Sequence, residues 1–171
     1  MALTQLRVGA FPTNSVLQTV INNDDVAGKT FNTTTFTEIA TDMRISITPL
    51  SASSILLIRY QFLIGGGNST IVRQFLIQNV TAGATVDLGH SAEGSRTNCH
   101  GSHRNEDNDD NDVDMISIEA KEVSGSTNAR TYTLFGRIAS GSDDTYLNHT
   151  TTDTSAVAYA KPMITIQEIK Q

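Results

Sequence analysis

The richest set of oxygen ligands in the sequence is the run Asp107-Asn108-Asp109-Asp110-Asn111-Asp112-Val113-Asp114. Carboxylates at near-alternate positions, here Asp107, Asp109, Asp110 and Asp112, can converge on a Ca²⁺ ion, which takes about 6–8 oxygens. The EF-hand pattern is not met, since no Gly stands at the sixth position and no Glu at the twelfth. The other reading is a solvated acidic loop, whose charge also keeps a neighbouring strand edge from pairing with other chains.

His90, Cys99, His100 and His103 are residue types that bind zinc. Their spacing matches no common structural site, and adjacent Cys99 and His100 ligate together awkwardly, so they read as polar loop residues. Cys99 with a nearby His is also the makings of a nucleophile, but nothing in the sequence orients the pair. Gly65-Gly66-Gly67 lacks the Lys-Ser/Thr and the helix of a phosphate cradle and reads as a turn. A glycosidase pair is defined by separation in space. Asp143, Asp144 and Glu119 are therefore only candidates, at positions where acidic residues are ordinary. Tyr60 and Arg73 read as neighbours stacked at one end of a sandwich.

These residues sit in a chain of 171 with net charge −6, 38% apolar residues, no Trp and one Cys. Such a length can bury roughly 70% of its unfolded surface in one domain. The charge argues against a nucleic-acid backbone and an anionic membrane as partners. A single cysteine excludes an intrachain disulfide framework. No run approaches the ~18 apolar residues of a membrane span. The start lacks the basic and apolar regions of a signal peptide, so a cytosolic product outside the general secretory route is expected. Asn32, Asn68, Asn79 and Asn148 head Asn-x-Ser/Thr triplets, which chance supplies in a Ser/Thr-rich chain.

The elements that must position these residues are strands. Residues 44–78 organise the chain: a short strand at 44–47, a Pro/Ser break, an apolar strand at 55–64, the glycine turn and a return at 70–78. Taken as a hairpin, the two long strands pair Leu56 with Ile77, Ile58 with Phe75, Tyr60 with Arg73 and Phe62 with Ile71 on one apolar face. Residues 114–123 and 130–138 read as a second hairpin, with Ile116, Ile118 and Ala120 opposite Ile138, Gly136 and Leu134. Further strands are expected at 15–21, 30–39, 85–88, 155–160 and 163–169, with one more short one within 140–154. No 3.6-residue apolar repeat supports a substantial helix. The fold expected is an all-β, single-domain, jelly-roll-like β-sandwich (residues 15–171) with a short N-terminal arm (1–14). A long polar excursion at 89–111 is expected to lie on the outer surface, either as the part that meets a partner or as a disordered insertion without one, and to be removable without loss of stability.

A linked pattern carries a family resemblance. It runs Ser15-Val16-Leu17-Gln18, Thr35-Phe36-Thr37-Glu38, Ile45-Ser46-Ile47-Thr48-Pro49, Ser51-Ala52-Ser53-Ser54-Ile55-Leu56-Leu57-Ile58 and, at the end, Ile164-Thr165-Ile166-Gln167-Glu168-Ile169. It resembles the small β-sandwich virion surface, fibre and tail-associated proteins of marine and cyanobacterial phages, with similar proteins in large algal viruses. The resemblance implies a non-enzymatic virion structural protein of a tail fibre, baseplate or capsid, acting in assembly or host-surface contact. It implies other virion proteins and further copies of the chain as partners, with host glycan a candidate, and no cofactor unless the acidic run holds Ca²⁺. The class weighed against it is a soluble carbohydrate-binding module. Leu57, Leu63, Val72 and Leu76, on the hairpin's second apolar face, are expected to form the interface of a homotrimer.

The acidic run separates its two readings in one measurement. Ca²⁺ binding raises the melting temperature and EDTA reverses it, whereas a solvated loop leaves the melting temperature the same in both solutions.

Overall fold

Buried and more exposed positions alternate along most of the longest apolar segment, with Leu56, Ile58, Tyr60, Phe62 and Ile64 all buried. That period of two is what a strand with one face on the core requires. A computed structural model describes residues 8–22, 28–66, 71–88, 93–104, 113–139, 144–149 and 160–171. The strands, in chain order, are β1 (Val16–Asn22), β2 (Lys29–Phe31), β3 (Thr37–Glu38), β4 (Ile45–Ile47), β5 (Ile55–Gly65) and β6 (Val72–Asn79). They continue with β7 (Ala84–Thr85), β8 (Gly101–Arg104), β9 (Val113–Val123), β10 (Arg130–Ile138), β11 (Thr145–Leu147) and β12 (Met163–Ile169). Two short 3-10 turns are the only helical segments among the described residues, and none is long and apolar enough to cross a membrane.

The strands form two antiparallel sheets. In the first, β12 lies between β1 and β5, β9 pairs with the other side of β5, and β11 with β2 continues the sheet where β5 ends. In the second, β10 and β6 form the centre, with β3 and β4 outside β10 and β7 and β8 outside β6. Taken in chain order, the principal strands β1, β4, β5, β6, β8, β9, β10 and β12 fall in the first, second, first, second, second, first, second and first sheets. This is the winding of a jelly roll.

The winding corrects both expected hairpins. β5 and β6 belong to different sheets, and so do β9 and β10. The inward residues were read correctly, but they meet face to face across the core instead of side by side along a ladder. Phe62 and Phe75 stand edge to face with ring centroids 5.0 Å apart, a packing worth about 1 kcal/mol beyond its buried area. Tyr60 and Arg73 do not stack. The Tyr60 hydroxyl donates to the Met43 carbonyl at 3.3 Å, and buried Arg73 donates to Thr145 Oγ1 and to the Gly66 carbonyl, both at 3.1 Å. Gly66 has φ of +138° and passes so close to the Arg73 guanidinium that a side chain there would collide with it.

The proposed trimer face is divided as well. Leu57 and Leu63 point outward from the first sheet, Val72 and Leu76 outward from the second, so the four share no surface. Leu63 and Leu76 are already only 9% and 6% exposed in the single chain. The outer face of the second sheet is partly overlaid by the excursion, where Thr97 Oγ1 accepts from Arg137 at 2.7 Å. The excursion also supplies β8, which pairs with β6 from Val72 to Phe75. It is a structural edge strand, which corrects the expectation of a removable loop. Residues 155–159 lie outside the described residues.

One end of the sandwich is closed by two inward carboxylates, Glu168 and Glu122, on either side of Leu56. Glu168 is fully buried. It accepts from Ser54 Oγ (2.6 Å), Gln18 Nε2 (2.6 Å) and the N–H groups of Leu50 (2.9 Å) and Ser51 (3.0 Å). Burial pushes its pKa up, and these hydrogen bonds outweigh that and hold it below the usual value. A carboxyl with a lowered folded pKa stabilises the fold above its unfolded value and loses that contribution as pH falls. Wild-type stability should therefore drop as pH falls below about 4.5. Glu168→Gln should cost about 2–4 kcal/mol at pH 7 and flatten that acid limb, read by urea unfolding across pH.

Candidate functional site

Asp107, Asp109, Asp110 and Asp112 lie outside the described residues, as do His90 and Asp143. Among the described residues no group of three or more metal-ligating side chains converges. His100 Nδ1 accepts the Ile77 N–H at 3.0 Å, and the His100 N–H donates to the Phe75 carbonyl at 2.8 Å. The side chain thus satisfies β6 just beyond the point where β8 stops pairing. His103 Nε2 contacts Asp114 Oδ2 at 2.6 Å, tying β8 to β9 across the two sheets. Gly101 makes this closure possible, because a Cβ there would strike the Ile118 side chain on β9.

Cys99 is half-buried, and burial raises its pKa against the opposing pull of nearby backbone hydrogen bonds and the Arg137 charge. A thiol held protonated is a poor nucleophile. Glu119 is paired with Arg59 at 2.5 Å on the outer face of the first sheet. Asp144 Oδ1 accepts from Asn32 near the far end of β5. Arg59, the partner of Glu119, and Gly65, the partner of Tyr146 next but one after Asp144, lie six residues apart on β5. At the strand rise this is about 20 Å, well beyond the ~5–9.5 Å of paired glycosidase carboxylates. Asn79 and Asn148, two of the Asn-x-Ser/Thr positions, are buried.

Two surface features remain. The first is an open cleft of about 240 Å³ beside β9, where Leu57, Leu88 and Ala120 lie with Asp87, His100, Glu119 and Lys121. The second is the outer face of the first sheet. Of the six exposed large apolar side chains among the described residues, Val16, Ile21, Met115, Val123 and Met163 stand there. The register aligns them in rows across the strands. A bulge between Val16 and Gln18 brings Val16 level with Ile169, which pairs with Ile55, which pairs with Val123. This outward row is apolar throughout. The inward row beside it reads Gln18, Glu168, Leu56, Glu122.

The usual polarity of a half-buried sheet is therefore inverted at this end. Charge is turned inward and β-branched hydrocarbon outward. The inward charges are satisfied: Glu122 accepts from Arg130 (2.6 Å), the Tyr132 hydroxyl (2.7 Å) and Asn79 (3.3 Å). Sequence reading missed both carboxylates. The signal was present, since Ile164, Ile166 and Glu168 occupy one face of β12, and a Glu in that series asks for buried donors.

No protein-family model matches the chain, and no curated protein matches it.

Cys99 should react with iodoacetamide more slowly than a free cysteine at pH 8. Its rate should still be rising with pH beyond the ordinary thiol value of 9.0, where that of a free cysteine levels off, as followed by mass spectrometry across pH.

Proposed function

We propose that this chain is a non-enzymatic structural protein of a virus particle, placed on a phage tail fibre, baseplate or capsid, and acting in assembly or host-surface contact. The observation that carries the reading is the jelly-roll winding, taken with the strand motifs that resemble small phage β-sandwich proteins. The fate of the reactive side chains supports it. The Cys99 thiol is held protonated, His100 and His103 are spent on holding β6, β8 and β9 together, and the candidate acidic pair Glu119 and Asp144 does not converge. Mass spectrometry of purified particles is expected to find the chain at stoichiometric abundance, and its absence from mature particles would sink the proposal.

A carbohydrate-binding module is the second reading, favoured by the cleft beside β9. Its carboxylates and ammonium could hold hydroxyls over Leu57 and Leu88. Among the described residues no Phe, Tyr or Trp lines the cleft, which sets this reading below the first. Binding of the isolated protein on a glycan array, lost in Lys121→Ala, would reverse that order.

A further inference from the structure

We propose that the outer face of the first sheet docks a second copy of this chain, about a two-fold axis running along the strands between β12 and β5. The inference stands on the sheet alone and holds whether or not the chain belongs to a virus particle.

The inverted end of the sheet is its starting point. A solvated sheet end has no use for an outward row of Val16, Ile169, Ile55 and Val123 beside an inward row of charge. Apolar residues on both faces call for a second cover, and among the described residues no helix supplies one. The row also reads the same in both directions, Val-Ile-Ile-Val. An isologous interface demands that kind of self-complementarity. Rotation about the stated axis sets Val16 of one copy over Val123 of the other, and Ile169 over Ile55.

The adjoining rows fit the same operation. Lys121 falls opposite Thr19, Arg59 opposite Thr165, and Glu119 opposite Ile21, so no charge stands directly over a like charge, and the two Arg59 side chains that flank the axis are each paired with their own Glu119. Leu57 falls opposite Gln167, which with Arg59 and Thr165 borders a shallow groove of about 70 Å³ lying on the axis. The long-range charge agrees. The chain carries −6, yet within the strands this face has two cations, Arg59 and Lys121, against one anion, Glu119, a net +1. It is a surface on which two acidic chains can approach.

Size agrees too. At about 4.8 Å between strands and about 3.3 Å per residue, β5 and β9 followed from Ile55 to Leu63, with β12 back to Met163 and β1 as far as Asn22, give a footprint of roughly 500 Å². Side chains standing on it bring the accessible area toward the ~800 Å² per partner that stable complexes bury. Two sheets stacked face to face at about 10 Å, their strands within about 30° of parallel, is the ordinary geometry of sheet packing.

The test uses the full chain in sedimentation velocity at tens of micromolar. The expected species has twice the 18.5 kDa of one chain. Val16 and Val123 are 47% and 62% exposed, so Val16→Lys and Val123→Glu should fold, with far-UV circular dichroism as the check and Val123→Thr as a milder variant. Each charged variant alone should weaken the dimer at least about tenfold. The double variant should recover most of that loss, because the two-fold places Lys over Glu twice. A monomeric wild type overturns the proposal, as does a dimer indifferent to all three single variants. Single variants that weaken the dimer without recovery in the double variant overturn the two-fold pairing.

Discussion

The closure of this sandwich depends on a carboxylate buried where hydrocarbon would be expected. Glu168 continues the inward series of Ile164 and Ile166 on the last strand and is fully shielded from water. An unsatisfied carboxylate there would cost several kcal/mol. Its donors come from three other places in the chain: Gln18 on β1, the Leu50 and Ser51 amides of the turn after β4, and Ser54 at the entrance to β5. Ser124, beyond β9, joins by donating to the Ser51 carbonyl at 2.5 Å, while its own N–H binds the Ser54 carbonyl at 2.9 Å. Both sheets are thus held at one end by a polar centre that no single segment could complete.

How much of this was legible depends on what strand periodicity encodes. A hairpin and an arch between sheets bury the same alternate residues. Leu56, Ile58 and Phe62 face inward in both, as do Phe75 and Ile77. The two arrangements differ only in whether the partner lies about 5 Å to the side or about 10 Å across the core, and alternation is blind to that distance. The strands themselves, and their inward sets, could therefore be read from the sequence, while their sheet membership could not. β8 escaped for a different reason. Gly101-Ser102-His103-Arg104 has no apolar residue because it is an edge strand, and edge strands are kept polar.

The candidate surface was half legible. Leu57 was rightly expected to face away from the core, but it was grouped with Leu76, which the winding puts on the other side of the molecule. The transverse row of Val16, Ile169, Ile55 and Val123 draws one residue from each of four strands. Those residues are scattered across nearly the whole sequence, and only the register brings them level. Patterns along a chain are visible to sequence reading, whereas patterns across strands are not.

The β1–β12 ladder has a consequence for the order of events in folding. Val16 finds its partner at Ile169 and Asn22 at Ile164, so β1 must wait for β12. Closing so long a loop is costly before any contact rewards it, and folds dominated by such pairings form slowly. On the ribosome, β5 cannot acquire its β12 neighbour and Glu168 cannot meet its donors until β12 has left the exit tunnel. The nascent chain therefore carries β1 and β5 without their shared neighbour until β12 emerges, and the polar centre at Glu168 is the step that ends that interval.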